Sequence, residues 1–279
     1  MRLTIVGCAG SFPRPDTAAS SYLVETQDAA GRTWRVLLDL GNGALGPLQR
    51  YLAPGDLDAV LLSHLHADHC LDLCGLYVAL RYRPGGPPAV RMPVYGPSGV
   101  ARRMAEAYGR EEGDKLAEIY DFREWTDGDP VTVGPLTVLP VLVDHPVEAY
   151  GVRVEERVAD QAEDRAAGRA EGRAEGRAAP RTAVLAYSGD TDACPSLVRL
   201  AKGADVLLAE AAFTEGRDLA RHIHLTGVRA GLAAADAGVR RLLLTHLPVW
   251  TDPATALAEA RSTFGGDVEV VRPGAVYEL

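Results

Sequence analysis

"LLSHLHADHC", residues 61–70, places three of the chain's seven histidines and an aspartate within the six positions His64 to His69. The run "DAVLLSH" (58–64) leading into it is apolar and strand-like, and "LDLCGLYVALRY" after it has helical spacing. His64 and His66 lie two apart, so on an extended segment their side chains leave the same face. The chain must then turn at Ala67 to begin a helix, which aims Asp68 and His69 elsewhere. One short loop thus offers two nitrogens to one metal ion, and an oxygen and a nitrogen to another. Imidazole and carboxylate suit zinc, with manganese or iron as alternatives.

The other histidines are His145 in "VLVDHP", His222 and His224 in "HIHLTG", and His246 in "LLLTHLP". Each alone reads more readily as structural than as a ligand. Asp190 in "AYSGDTD" joins them at a strand end beside a glycine. Open sheets gather their working groups at the carboxyl ends of strands, so this distribution is that of a site.

Strand-like runs recur on both sides of the motif: 2–7, 20–26, 34–41, 58–64, 92–97 and 131–143, then 149–156, 182–190, 204–210, 240–246 and 267–272. Helical stretches fall at 72–82, 98–112, 194–201, 226–237 and 253–263, with Thr226 as an N-cap, Gly238 just past a helix end and Pro253 in a first turn. Two runs of strands, each with later helices, predict an α/β fold of two mixed β-sheets packed face to face with helices outside, an αββα sandwich. The chain reads as one domain, 1–279. Its one break is the tract 157–181, where GRAE repeats and three glycines in 164–181 leave no apolar face to bury. That tract is expected to be a disordered insertion in a hairpin.

Hydrophobic content of 47% and charged content of 24% fit an ordinary globular protein. The net charge of −9 argues against a binder that relies on broad contacts to a phosphate backbone. Four cysteines without CxxC spacing read as reduced thiols. No apolar run reaches the ~18–20 residues that cross a bilayer, and the N-terminus enters a strand at once, so a cytoplasmic protein is expected.

"HLHADH" followed by His145, Asp190 and His246 resembles the metallo-β-lactamase superfamily, from "GCAGSFP" to "LLLTHLPVW". The resemblance implies the αββα sandwich and two divalent ions, zinc first. One ion would take His64, His66 and His145, the other Asp68, His69 and His246, with Asp190 bridging. Asp39 in "LLDLG" would brace the metal loop. "LLAEAAF" and "HIHLTG" resemble the phosphodiesterase branch that contains transfer-RNA 3′-processing endonucleases. That likeness implies Glu210 and His224 as a catalytic pair, with Asp68 as proton acceptor, and leaves His222 as a bystander.

Two ions can share a hydroxide and clamp an in-line displacement at phosphorus. His224 would then protonate the leaving alkoxide, and the start of the 226–237 helix would favour a phosphate oxygen. Compact bacterial atypical class II cyclic-nucleotide phosphodiesterases resemble the chain further, through "LLSHLHADHCLDL" and "AYSGDT". That implies hydrolysis of cyclic AMP, and perhaps cyclic GMP, to the 5′-nucleotide, by a protein that forms a homodimer. The alternatives are a transfer-RNA 3′-endonuclease, for which the 164–181 tract lacks a Lys-bearing arm, and a lactonase. Tyr77, Tyr82, Phe213 and Trp250 are the aromatic candidates for the base.

Overall fold

The computed structural model describes residues 1–109, 115–156 and 182–279. The expected disordered insertion at 157–181 and the last residues of the 98–112 helix lie outside them.

Two sheets form. The first runs β15 (Val276–Glu278), β1 (Arg2–Ala9), β3 (Ser21–Gln27), β4 (Thr33–Leu38), β5 (Ala59–Leu61), β6 (Met92–Gly96) and β7 (Tyr120–Glu124), with β2 (Ala18–Ala19) beside β1. The second runs β14 (Asp267–Val270), β13 (Arg241–Thr245), β12 (Val206–Glu210), β11 (Val184–Tyr187), β10 (Tyr150–Glu156), β9 (Leu136–Leu142) and β8 (Val131–Val133). Each is mixed. β4 to β7 and β11 to β14 are parallel, and the remaining neighbours named in order are antiparallel.

Alternation along the strands decides the layering. Ile5, Tyr22, Val24, Val36 and Leu38 of the first sheet meet Val138, Val152, Leu185, Tyr187 and Leu208 of the second in a buried inter-sheet core. The opposite faces are covered by helices. α1 (Leu45–Leu48), α3 (Leu73–Arg81) and α4 (Val100–Tyr108) bury Leu48, Leu76, Leu80 and Met104 against the first sheet. α5 (Pro195–Ala201), α6 (Gly227–Ala237) and α7 (Pro253–Thr263) bury Leu197, Ala230, Ala234 and Ala260 against the second. This is the αββα sandwich expected from the run of elements. Burying the faces of both sheets and one stripe of each helix is what drives it together.

Cap chemistry sets the helix ends as read. Thr226 Oγ1 accepts from Arg229 N at 3.2 Å, Asp252 Oδ1 accepts from Ala254 N at 3.1 Å, and Gly238 closes α6 at φ +64. Three readings need correction. The run 131–143 is two strands, because Gly134 (φ +56) and Pro135, which has no N–H to donate, turn the chain between β8 and β9. The helix expected to begin at Ala67 does so and carries Asp68 and His69, but it is a separate short one, α2 (Ala67–Cys70), and not continuous with the 72–82 helix. The edge strands β7 and β15 were not read. "YDFRE" and "VYE" are short and charged, as edges must be to avoid pairing with other chains. The 149–156 and 182–190 runs do pair antiparallel, as the hairpin reading requires. Among the described residues no helix is long and apolar enough to cross a membrane.

Gly134 offers a test of the inter-sheet packing. A Cβ there would lie 2.1 Å from Trp34 Cδ2, on a backbone that L side chains rarely adopt. Gly134→Ala is expected to cost about 2–4 kcal/mol, combining overpacking with left-handed strain. A urea midpoint within a few tenths of wild type would refute that packing.

Candidate metal centre

The chain's chemistry gathers at one edge of the sandwich, beyond the carboxyl ends of parallel strands. His64, His66, Asp68 and His69 follow β5, Asp190 follows β11, Glu210 ends β12 and His246 follows β13. His145 comes from the loop after β9. An Asp144–Asp192 bridge fastens that loop to the Asp190 loop, with Asp192 N donating to Asp144 O at 2.8 Å.

Three donor groups result: His64, His66 and His145; Asp68, His69, Asp190 and His246; and Asp190, Glu210 and His224. Within each group, one ligand atom per residue lies within 4.8 Å of the others. In the first, His64 Nε2 and His66 Nδ1 are 2.9 Å apart, and His145 Nε2 is 3.3 Å from the same His66 nitrogen. In the second, Asp190 Oδ1 is 3.3 Å from His69 Nε2, and its Oδ2 is 3.2 Å from His246 Nε2. Asp190 Oδ2 also lies 3.7 Å from His64 Nε2, so this carboxylate stands between the two groups. The second group is wholly buried, whereas His66 opens the first to solvent.

A ring of polar partners fixes which nitrogen each imidazole presents. His69 Nδ1 donates to Asp39 Oδ2 at 2.7 Å and His145 Nδ1 to the Ile223 carbonyl at 2.8 Å, and His246 Nδ1 is hydrogen-bonded with Ser20 Oγ at 2.9 Å. His64 Nδ1 donates to Ser63 Oγ at 3.1 Å, and that hydroxyl in turn donates to Asp39 Oδ2 at 2.8 Å. With Nδ1 so engaged, the Nε2 of each of these rings faces inward, and Asp190 and Asp39 outweigh burial to raise the His69 pKa well above its ordinary value. Such second partners orient ligands and raise their basicity.

The fit to divalent ions can be tested on what is left over. Among the described residues, the buried His69 Nε2, His246 Nε2 and Asp190 Oδ1 have no hydrogen-bond partner. Orphaned buried acceptors each cost about 1–3 kcal/mol. His66 Nδ1 cannot satisfy the lone pairs of both His64 and His145 with one proton. Burial and the adjacent imidazoles hold His64 well below its ordinary pKa and lower His66 and His246, so these three are neutral at pH 7 and in ligand form. Nitrogen and carboxylate donors converging on buried polar atoms that lack a partner fit borderline divalent cations.

Glu210 and His224 behave differently. Glu210 Oε1 accepts from Thr191 N at 3.0 Å and His224 Nδ1 at 2.8 Å, and Oε2 accepts from Ala212 N at 3.0 Å. With both oxygens engaged by donors, Glu210 orients His224 rather than ligating an ion. Burial opposes protonation of His224, but the charge and hydrogen bond of Glu210, helped by Asp190, outweigh it and raise the pKa to about 9.

The histidines and carboxylates expected as metal ligands and catalytic groups are thus brought together. His222 stands apart, with an exposed ring whose Nδ1 lies 2.8 Å from Asp144 Oδ2. One expectation fails. The start of α6 is not free for a phosphate oxygen, because Gly227 N donates to Glu259 Oε2 at 3.0 Å and Thr226 Oγ1 donates to Glu215 Oε2 at 2.6 Å. Two carboxylates already neutralise that end. Sequence reasoning missed Ser20, Ser63, Thr191 and Tyr187, whose hydroxyls and amides support the site. Only the position of Ser63, immediately before His64, hinted at any of them.

The comparisons agree with the αββα sandwich. The model of the beta-lactamase superfamily domain matches residues 34–247. The chain belongs to that superfamily. It is 43% identical to an uncharacterized protein from Mycobacterium leprae, over 100% of this chain and 89% of that protein. It is 31% identical to ribonuclease Z of Myxococcus xanthus, over 100% of this chain and 98% of that enzyme. The crystal structure of the metallo-beta-lactamase fold protein YhfI from Bacillus subtilis superposes with a TM-score of 0.79 at 27% identity, covering 99% of this chain and 98% of that one. Such relatives support a hydrolase whose His and Asp clusters suit divalent metal.

The brace on His69 predicts its own effect. Asp39→Asn weakens the acceptor of His69 Nδ1 and is expected to lower affinity for bound metal about 10–100-fold. Competition with a chelating dye measures it, and wild-type retention by the variant would remove Asp39 from the role.

Proposed function

We propose that the chain is a dinuclear metal-dependent phosphodiesterase that hydrolyses 3′,5′-cyclic AMP, or a closely related cyclic nucleotide, to the 5′-nucleotide. The observation that carries this reading is the His224–Glu210 pair standing beside the two donor groups. A phosphodiester's sugar alkoxide is a poor leaving group that needs a proton, and few other uses would call for a buried acid held protonated there. The identity to ribonuclease Z of Myxococcus xanthus supports phosphodiester chemistry.

His64, His66 and His145 would hold one ion, and Asp68, His69 and His246 the other, with Asp190 between. When bound, the ions lower the pKa of water towards 7 and neutralise charge gathering on the phosphoryl oxygens. Zinc suits the donor set best, and manganese next. Asp68 accepts the proton of the attacking water. The oxygen of that water forms a bond to phosphorus as the P–O3′ bond breaks in line. Glu210 keeps His224 Nδ1 protonated, and His224 Nε2 gives its proton to O3′. One water is consumed, and the 5′-monophosphate leaves with a free 3′-hydroxyl.

The likeness to ribonuclease Z favours one second reading, cleavage of a transfer-RNA 3′ extension, against which the net charge of −9 weighs. Cytoplasmic location and self-association in pairs complete the proposal.

His224→Ala is expected to lower kcat for cyclic AMP about 10²–10⁴-fold while two ions remain bound per chain. The same variant should lose far less on bis(p-nitrophenyl) phosphate, whose leaving group departs without a proton. Equal losses on both substrates would refute the acid assignment. Cleavage of a transfer-RNA precursor but not of cyclic AMP would hand the function to the second reading.

Glu210→Gln removes the negative charge that raises the His224 pKa to about 9. The acid must be protonated to work, so activity is lost as pH rises through that pKa. The alkaline limb of the kcat profile should therefore move to lower pH in this variant. An unmoved limb would exclude His224 as the titrating acid.

A further inference from the structure

A nucleotide offers a site both its phosphate and its base, and the donor groups account for the phosphate alone. Four aromatic side chains were candidates for the base, and the structure separates them. Tyr77 is fully buried against Tyr108 and Tyr120. Tyr82 ends α3, where Arg81 lies over its ring at 5.8 Å. Phe213 meets His224 edge-on, with ring centroids 5.0 Å apart at 79°, and so walls the acid. Trp250 is 58% exposed, and it has a neighbour that the sequence did not point to. Phe12, 41% exposed, lies with its ring centroid 5.6 Å from that of Trp250.

We propose that Phe12 and Trp250 form the stacking platform for the base of the nucleotide substrate. This rests on the phosphodiesterase reading and names the part of the substrate that the metal centre leaves unrecognised.

Both rings are carried by loops built onto His246. Gly10 N donates to the Leu247 carbonyl at 3.2 Å, and Ala9 forms a parallel bridge with Leu247. Gly10 comes so close that an added Cβ would lie 2.3 Å from the His246 carbonyl oxygen. Phe12 follows two residues later. On the other loop, Thr251 N donates to the Pro248 carbonyl at 3.0 Å and closes a tight turn with Val249 and Trp250 at its tip. That turn is fastened from outside. Thr251 Oγ1 donates to the Ala212 carbonyl at 2.8 Å, and Arg217 Nη1 donates to the Trp250 carbonyl at 3.1 Å.

The backbone under the pair is therefore fixed while its rings and Val249, itself 58% exposed, face solvent. Clustered exposed apolar side chains on a fixed frame mark a contact surface. An added Gly10 Cβ would also lie 3.0 Å from His246 Cδ2, so the frame borders the ring of a metal donor, and the proposal puts the base of a bound nucleotide on that side. The chain's other tryptophans are otherwise engaged. Trp125 is buried on Tyr95 at 19° between rings, and Trp34 donates to Asp28 Oδ2 beneath Arg32. Stacking needs no particular hydrogen-bond pattern from the base, so the platform would recognise a nucleoside phosphate by its flat ring.

The test compares 5′-AMP with ribose 5-phosphate on the full zinc-loaded chain, following tryptophan fluorescence. The platform predicts that AMP binds about tenfold more tightly, quenches emission that Trp250→Phe removes, and loses its advantage in Trp250→Ala and in Phe12→Ala. Circular dichroism and bound zinc check that the variants are folded. Equal binding of AMP and ribose 5-phosphate would overturn the platform and leave the phosphodiesterase reading standing. Binding of neither, with no cleavage of any phosphodiester, would overturn both. Trp250 emission that shifts with protein concentration in step with dimerisation, and that AMP does not alter, would assign the pair to a second copy of the chain and overturn the proposal.

Discussion

Asp39 is the point on which both sheets and the metal loop converge. It is fully buried just after β4, in a left-handed conformation (φ +58) that is uncommon outside glycine, asparagine, aspartate and histidine. Its carboxylate accepts from Ser63 N at 2.7 Å, Ser63 Oγ at 2.8 Å, His69 Nδ1 at 2.7 Å and Tyr187 OH at 2.7 Å. Those donors come from the loop after β5, from α2 and from β11 in the opposite sheet. A buried carboxylate is tolerable only when its lone pairs are met, and here meeting them ties three elements to one point. The strain at residue 39 is held by the same four bonds.

From that point the site's geometry follows in steps. Fixing Ser63 fixes His64, because the Ser63 hydroxyl is also the acceptor for His64 Nδ1. Fixing His69 through Nδ1 turns its Nε2 towards Asp190. His246 repeats the arrangement at the other side, in a left-handed conformation of its own (φ +57), with Ser20 on its Nδ1. Tyr22 OH then donates to Ser20 Oγ at 3.3 Å and lies 2.8 Å from Thr245 Oγ1, linking the two sheets again. The metal donors are rigid because their outward-facing nitrogens are spent on the inter-sheet seam. The two strained residues stand where that rigidity is needed.

What the sequence disclosed follows from how local each feature is. The loop from His64 to His69 carries its ligand pattern in its own spacing, and Thr226, Gly238 and Pro253 carry the helix ends in theirs. His145, Asp190 and His246 could be associated only through resemblance, since nothing in their spacing says that three loops more than forty residues apart meet. Tyr187, Ser20 and Thr191 were illegible for the same reason, being ordinary residues made important by what folds against them. The helix start at Thr226 misled, because Glu215 and Glu259 come from segments whose approach no local pattern announces. Phe12 was missed for a simpler reason, as it sits among prolines in a loop that has no period.

The occupied start of α6 bears on how a phosphate would be held. Among the described residues, three arginines of neighbouring loops and of α6 are engaged as well. Arg221 Nε lies 2.6 Å from Asp192 Oδ2, Arg229 Nη1 is 3.0 Å from Asp192 Oδ1, and Arg217 pairs with Asp218 at 2.6 Å. Helix dipole and arginines are thus turned to holding loops in place. In a chain with a net charge of −9, a phosphate diester entering this edge would meet a repulsive field unless something in the site reversed it. Divalent ions held by the donor groups would do so locally, over the short range at which ligand and phosphate oxygens share them. Such a site would favour a compact anion that reaches the centre over a long polyanion that must lie along the surface. Under the proposed function, the same electrostatics would make bound cations necessary and would bias the choice of substrate towards a single small nucleotide.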